Sequence, residues 1–219
     1  MVGSRMKVPL AYPKIPSSAD YTLKRCIAFE KIDGTNFHFC WNANESWHSF
    51  GVRRDCYPFT TAGNQEFNQA HPGLGSAGYY FEQVWSAPLD AFLRSKERYA
   101  NAQVICFFEF FGSGSFAGEH RPSDHKELIL FDVQVNDTIL PPKEFLSDFS
   151  KFPIAKKVYE GKFNGQFVED VRNGKFDVNE GVVIKGFEKG VYQAAKIKTH
   201  AYMERLKAKF GNDWESKWE

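Results

Sequence analysis

The residues Glu30-Lys31-Ile32-Asp33-Gly34-Thr35-Asn36 put a lysine beside carboxylates and just ahead of a glycine turn. An amine there could act as a nucleophile if burial or neighbouring cations lower its pKa from the ordinary value of about 10.4. The plain alternative is a strand-end lysine next to an Asp-Gly turn, so the rest of the chain has to decide. Other charged residues are of the types that phosphate chemistry uses. Arg53 and Arg54 are adjacent guanidiniums, and Glu109 interrupts the apolar run Gln103–Phe111. A carboxylate in such a run is costly unless it faces a polar cleft or has partners. Glu180 opens the run Glu180–Phe187, which carries Lys185. Lys196 and Lys198 are two apart and therefore share a face if they lie in a strand. Cations that neutralise phosphates, carboxylates that hold a metal or ribose hydroxyls, and an aromatic that stacks on a base compose a cleft for a nucleoside triphosphate and a divalent metal. The chain has no Walker-type glycine loop and no dinucleotide fingerprint, which excludes phosphate-loop and doubly wound sites.

These groups all fall at or near the ends of expected strands. Arg25–Lys31 and Thr35–Trp41 read as a hairpin about Asp33-Gly34, with Trp47–Arg54 as a third strand of the same antiparallel sheet. Arg53 and Arg54 would then point to opposite faces, so that one of them joins Lys31 in the cleft. Residues 57–79, rich in Thr, Asn, Gln, Pro and Gly, read as a long irregular connection with a short helix near Asn64–Gln69. Tyr80–Trp85 and Pro88–Tyr99 read as helix, with Leu89, Phe92 and Leu93 on one stripe. Gln103–Phe111 and Glu127–Val135 are expected strands, the latter with Phe131 and Asp132 on opposite faces. Lys143–Phe152 follows Pro141-Pro142 as a short amphipathic helix, and Lys156–Phe176 reads as a small lobe or a helix-and-turn excursion. Glu180–Phe187 and Val191–Lys198 form a hairpin across Glu188-Lys189-Gly190. Thr199–Phe210 is a basic amphipathic helix with Tyr202, Leu206 and Phe210 on one stripe.

Composition narrows the class. A chain of 219 residues can build one substantial core or a main domain with a small lobe. With 28 basic against 27 acidic residues it is not a globally basic nucleic-acid binder, so any polyanion must meet a local patch. Cys26, Cys40, Cys56 and Cys106 lack paired metal spacing and read as reduced, packed thiols. No run approaches membrane-span length and no apolar secretory segment opens the chain, so the expectation is an intracellular protein, cytoplasmic or in the host cytoplasm if viral, with no membrane partner. Several of the 22 phenylalanines alternate with polar residues, which suggests sheets packed face to face rather than helices with a single apolar stripe. Residues 1–21 are expected to form an N-terminal arm, rich in proline from Lys7 on, and Met1–Arg5, ahead of Met6, carry no weight in the fold argument.

In order, these segments resemble the covalent nucleotidyltransferase superfamily of polynucleotide ligases and messenger-RNA capping enzymes. They are most similar to ATP-dependent double-strand RNA ligases of the phage and trypanosome type, which seal nicks. Glu30–Asn36 matches the nucleophile motif, with the Thr-Asn typical of that branch; Arg53-Arg54 matches the arginine motif and Phe108–Gly112 the strand glutamate motif. Leu128–Val133 matches the base-stacking motif, Glu180–Lys185 the metal and substrate motif, and Ala195–Lys198 the terminal lysine motif. Asp33 stands where the RNA-ligase branch commonly has histidine and where DNA ligases and capping enzymes have aspartate, so it leaves the nucleic acid open.

The resemblance implies an α+β adenylation fold, ATP-grasp-like, with two twisted antiparallel sheets around a nucleotide cleft, occupying residues 22–219 and ending in a short helix. It implies ATP and Mg2+ (or Mn2+) as cofactors. Lys31 would carry AMP; Glu180, Lys196 and Lys198 would complete the catalytic set; Asp33 and Glu180 would serve the metal. Glu30, Ile32, Asn36, Arg53, Arg54, Glu109, Phe131 and Lys185 would bind the nucleotide, with Glu109 on the ribose and Phe131 on adenine. Lys196 would also lower the pKa of Lys31. The partner would be nucleic acid with 5'-phosphate and 3'-hydroxyl ends, a nicked duplex containing RNA. No separate C-terminal nucleic-acid-binding domain is expected, which leaves a minimal ligase, an isolated catalytic domain served by a separate binding partner, or an enzyme that adenylylates itself but seals weakly.

Overall fold

The computed structural model describes residues 12–113 and 123–217, with side chains as far as Trp214. Residues 1–11, which include Met1–Arg5 and much of the expected arm, lie outside the described residues. In chain order the elements are β1 (Arg25–Lys31), β2 (Thr35–Asn42), β3 (Ser46–Val52), β4 (Tyr57–Pro58), α1 (Thr61–Ala70), α2 (Ser76–Tyr80), a π-helical stretch Phe81–Ser86 and α3 (Ala87–Arg94). Next come β5 (Val104–Phe111), β6 (Glu127–Val135), β7 (Thr138–Ile139), α4 (Pro142–Phe149), β8 (Lys157–Lys162), α5 (Gly165–Arg172), β9 (Gly181–Glu188), β10 (Val191–Lys198) and α6 (His200–Phe210). The result is the α+β fold that the sequence predicts, with two antiparallel sheets belonging to two compact units.

Residues 12–13, 35–113 and 123–140 make one unit around the six-stranded sheet β4-β3-β2-β5-β6-β7. The two-residue strand period sorts its side chains. Phe37 and Phe39 of β2 share one face with Phe108 and Phe110 of β5 and with Leu128 and Leu130 of β6. All six are buried. Helices cover this face: the Phe81 ring stacks on Phe39 at 3.7 Å, Trp85 meets Phe108 edge-on at 4.8 Å and Phe67 of α1 meets Phe37 at 5.6 Å. Asp90 of α3 pins the helical layer to the sheet by accepting from Trp41 Nε1 at 2.7 Å and Ser46 Oγ at 2.7 Å. The opposite face presents Asn36, His38, Phe107 and Glu109.

Residues 14–34 and the chain from 141 onward make the other unit around the sheet β10-β9-β1-β8. Its core face carries Cys26, Ala28, Val182, Ile184, Ala195 and Ile197, packed with Tyr21 and with Phe167 and Val171 of α5. The other face carries Phe29 and Lys31 of β1, Val183 and Lys185 of β9, and Lys196 and Lys198 of β10.

The expected hairpin of β1 with β2 does not form. β1 pairs with β8 and β9, whereas β2 pairs with β3 and β5. Gly34 is absent from the positive-φ residues, so Asp33-Gly34 lacks the left-handed pair that a two-residue hairpin turn requires. Lys189 and Gly190, at φ 52 and 80, have that pair, and the β9–β10 hairpin forms as expected. β3 stops at Val52 because Arg53 turns left-handed at φ 49 and Asp55 N donates to Val52 O at 2.9 Å. Arg53 and Arg54 are both exposed on that turn, outside strand alternation. Residues 57–79 are more regular than expected: Thr60 caps α1 by accepting from Gly63 N at 3.1 Å, and Phe67 anchors the helix in the core. Lys156–Phe176 supplies an edge strand, β8, and helix α5, whose N-cap Asn164 accepts from Phe167 N at 2.9 Å.

Candidate active site

β1 and β10 flank β9 and end at the same rung of the ladder. Lys31 pairs with Gly181 on one side and Lys198 pairs with Gly181 on the other, so both lysines share a face beside a glycine. Gly181 has φ 151, and a Cβ there would stand 2.1 Å from Ile197 O and 2.8 Å from Lys198 Cα. Only glycine lets β10 approach this closely. The preceding residue, Glu180, is 1% exposed, and its Oε1 accepts from Lys31 Nζ at 2.8 Å and from Lys198 Nζ at 3.2 Å. Glu180 Oε2 is buried and has no hydrogen-bond partner among the described residues.

Further groups close the cluster. Burial lowers the Lys198 pKa most; Glu180 opposes the shift, Lys31 adds to it and Asp33 opposes it. Lys198 Nζ stands 4.8 Å from the centroid of the Tyr202 ring, and the buried Tyr202 hydroxyl donates to Asp33 Oδ1 at 3.4 Å. Thr199 fixes Tyr202 by capping α6: its Oγ1 accepts from Tyr202 N at 3.1 Å, while its own N donates to Glu180 O at 2.9 Å. Glu30, on the opposite face of β1 from Lys31, has its pKa raised by burial, with Lys156 opposing and Asp177 adding. Ile32 is half-buried in the segment after β1.

The remaining lysines of the expected set behave differently. Lys196 is half-buried, two residues from Lys198 on the same face, and its backbone N donates to Pro16 O at 2.9 Å. Lys185 lies four residues along β9 from Gly181, roughly 13 Å away. It is 1% exposed, with Nζ 4.8 Å from the centroid of Phe29 and 5.5 Å from that of Phe145. Lys31, Asp33, Glu180 and Lys198 are thus brought together, with Lys196 next along the strand and Lys185 held apart between two rings.

In the six-stranded unit, Asn36 and Glu109 are directly opposite on β2 and β5 and both are half-buried. Phe131 is the extra residue of a β-bulge, since Phe107 pairs with Asp132 and Phe108 with Leu130. The bulge overrides the expected alternation. Tyr12 meets the Phe131 ring edge-on at 5.0 Å and donates its hydroxyl to Asp132 Oδ2, so Phe131 and Asp132 address the same residue. His38 is fully buried on this face, and its ring nitrogens have no hydrogen-bond partner among the described residues. Burial lowers its pKa to about 4, against an opposing pull from Asp55.

Sequence reasoning missed Gly181, Thr199, Tyr202 and Tyr12 as site residues. Tyr202 is legible only as part of an apolar helix stripe, and its link to Asp33 spans 169 residues. Gly181 carried a signal, a glycine directly after the acid that opens a strand. Among the described residues no three His, Cys, Asp or Glu side chains are grouped to hold a metal ion. Mg2+ is usually held by one or two carboxylates together with substrate phosphates and water, and Glu180 Oε2, with Asp33 in the same cluster, suits that mode. No helix among the described residues is long and apolar enough to cross a membrane.

Residues 24–198 match the family described as RNA ligase. No curated protein sequence matches the chain. Among solved structures it is similar to a Naegleria gruberi RNA ligase with PPi, at 15% identity and TM-score 0.60, covering 84% of this chain and 52% of that one. It is similar to an archaeal ATP-dependent RNA ligase, form 1, at 16% identity and TM-score 0.53, covering 94% and 55%. A putative ATP-dependent DNA ligase from Aquifex aeolicus gives 15% identity and TM-score 0.54, covering 94% and 56%. The chain therefore spans about half the length of the solved structures it matches, and at these identities the likeness is one of fold.

Proposed function

The chain belongs to the RNA ligase family, and from that premise we propose that it is an ATP-dependent polynucleotide ligase that joins 5'-phosphate to 3'-hydroxyl ends, with a nicked duplex containing RNA as substrate. The observation that carries the proposal is the meeting of Lys31 and Lys198 on one oxygen of the buried Glu180. A nucleophilic amine needs a group within hydrogen-bond reach to take its proton and a neighbouring cation to disfavour its charged form. Glu180 Oε1 is 2.8 Å from Lys31 Nζ, and Lys198 is the second cation on the same carboxylate.

The proposed reaction has three steps. The neutral Lys31 amine attacks the α phosphorus of ATP; an N–P bond forms, the bond to the bridging oxygen breaks and pyrophosphate leaves, while the amine proton passes to Glu180 or water. A 5'-phosphate oxygen then attacks the same phosphorus, AMP moves to the nucleic acid, and Lys31 regains its proton. The 3'-hydroxyl finally attacks the 5'-phosphorus, forming the phosphodiester and releasing AMP. Covalent capture on lysine divides one difficult displacement into easier ones. Lys196 and Lys198 are assigned to phosphate oxygens, where fixed positive charge contributes most. Mg2+ or Mn2+, held through Glu180 and Asp33, would supply further neutralisation of phosphate charge when bound. Glu30, Ile32 and Lys185 are assigned to nucleotide contacts. In the six-stranded unit Glu109 is assigned to the ribose, Phe131 to adenine, and Asn36 and Arg54, or its neighbour Arg53, to ribose or phosphate.

The test is incubation with labelled ATP or GTP and Mg2+ or Mn2+, followed by a search for a covalent, acid-labile nucleotide adduct. AMP on the wild type and none on Lys31→Ala is the expected result; no adduct, or one that survives Lys31→Ala, overturns the mechanism. A minimal DNA ligase is the second reading, favoured by Asp33 in the nucleophile motif. Nicked duplexes with RNA or DNA on either side of the break separate the two readings, and a protein that binds nucleic acid without forming an adduct is a non-catalytic module.

A further inference from the structure

A cavity of about 450 Å3 opens in the four-stranded unit beside the N-terminal end of β1, the C-terminal end of β9 and the start of α4. Its wall includes Arg25 and Ile27 of β1, and Ile27 pairs with Lys185 of β9. By the two-residue strand period, these residues and Phe187 stand on the face that carries Lys31. Ile27 and Arg25 precede Lys31 by four and six residues, about 13–20 Å along an extended strand. That is the reach of about four to six stacked bases at ~3.4 Å each.

The chemistry of the wall is that of a phosphate and a flat ring. Lys24, Arg25 and Lys143 are exposed cations on it, and the buried Lys185 lies beneath. Of its two acids, Glu160 is already engaged by Lys157 at 3.2 Å and Lys143 at 3.8 Å, and Glu188 is the other. α4 starts here with Pro142 and the acid Glu144 in its first turn and with no side-chain cap hydrogen bond, so its leading N–H groups are donors for an anion even beside that carboxylate. Phe187 is 44% exposed, a large ring turned to solvent at the cavity, and Pro141-Pro142 gives an apolar rim.

We propose that this cavity receives one nucleotide of the polynucleotide substrate, about four to six positions from the end that reacts, with its base on Phe187 and its phosphate on Arg25, Lys143 and the start of α4. The proposal rests on the ligase reading and extends it, because it assigns a strand-binding subsite roughly 13 Å along β9 from the Lys31 cluster, with Lys185 at the border between strand and nucleotide. Stacking on an exposed aromatic is tolerant of sequence, so the subsite grips a strand of any composition.

The test compares wild type with Phe187→Ala and with the double variant Arg25→Ala/Lys143→Ala, none of which touches the Lys31 cluster. Binding of a fluorescent nicked duplex is followed by anisotropy across a salt series, beside the yield of self-adenylylation. Phe187→Ala is expected to weaken binding roughly ten-fold or more. The double variant should weaken it and flatten the logarithmic salt dependence by about two. Self-adenylylation should stay within about two-fold in both. Unchanged binding and salt slope, or AMP alone competing as well as the duplex, overturns the subsite. Self-adenylylation falling in parallel also overturns it, because the cavity would then serve the nucleotide step. If wild type forms no adduct yet the variants lose duplex binding, the ligase reading fails and the strand site stands.

Discussion

Gly181→Ala tests whether the two lysines are set by the close approach of β10 to β9. The new methyl would stand 2.1 Å from Ile197 O and 2.8 Å from Lys198 Cα, both backbone atoms of the paired strand. Side-chain rotation cannot relieve a clash between two backbones, so the strands must part. Overpacking of this kind costs ~1–3 kcal/mol. Holding an L-residue at φ 151 adds ~1–2 kcal/mol. The sum, ~2–5 kcal/mol, is a large part of a typical folding free energy and at this chain length corresponds to a melting temperature lower by roughly 4–20 °C. Gly190→Ala provides the control, because Gly190 has φ 80 but nothing within 4 Å of an added Cβ, leaving only the backbone cost of ~1 kcal/mol. Thermal unfolding followed by circular dichroism should separate the two variants, with Gly181→Ala markedly lower. The yield of lysine-AMP should fall with it, since parting the strands draws Lys198 from the oxygen it shares with Lys31. Equal melting temperatures for the two variants, or a Gly181→Ala protein with full adduct formation, would refute the reasoning.

Three further outcomes follow from the same geometry. Tyr202→Phe loses the hydroxyl bond to Asp33 but keeps a ring over Lys198, whereas Tyr202→Leu loses both; the first should cost ~1 kcal/mol, and only the second should shift the pH dependence of adduct formation. Identical pH profiles for the two would rule out the ring's influence on Lys198. His38 is held neutral with a pKa of about 4, below its unfolded value of 6.5, so the unfolded chain binds the proton first and stability is lost as pH falls from 6.5 to 4. The loss approaches about 3 kcal/mol, and His38→Leu should remove it in urea unfolding at pH 6.5 and 4.5; an unchanged acid sensitivity would argue against the burial of this ring. Cys26 and Cys40 have pKa values pushed up to about 12 by burial, so their neutral forms favour the fold until the unfolded thiols begin to ionise above about 8.5. The urea midpoint should therefore fall between pH 8 and 10, and a constant midpoint would show these thiols to be accessible.

The grouping of Lys31, Glu180 and Lys198 is partly legible because strand alternation and an acid at a strand start are local signals. The strand Val191–Lys198 has the bounds that its alternation predicts, and the shared face of Lys196 and Lys198 follows from the period of two. The partner of β1 was not legible. Asp33-Gly34 has the composition of a hairpin turn, and only tertiary pairing with β8 and β9 shows that the chain leaves one sheet there and enters the other. The expected placement of Phe131 and Asp132 on opposite faces fails for a different reason. A bulge inserts one residue and defeats alternation from that point, and nothing in Leu128–Val133 announces it. Arg53 leaves the expected strand because its backbone is left-handed, and left-handed backbone at a non-glycine residue leaves little trace in composition.

Tyr202 gives the architecture an unexpected seam. The family match ends at Lys198, yet the next residue caps α6 and that helix delivers the hydroxyl to Asp33 and the ring beneath Lys198. The unit of sequence similarity and the unit of folding are therefore offset by one helix. Grafting residues 24–198 into another scaffold would transplant every motif and leave the buried aspartate and lysine wet on one side. A transplant that runs through Phe210 would carry its own cover.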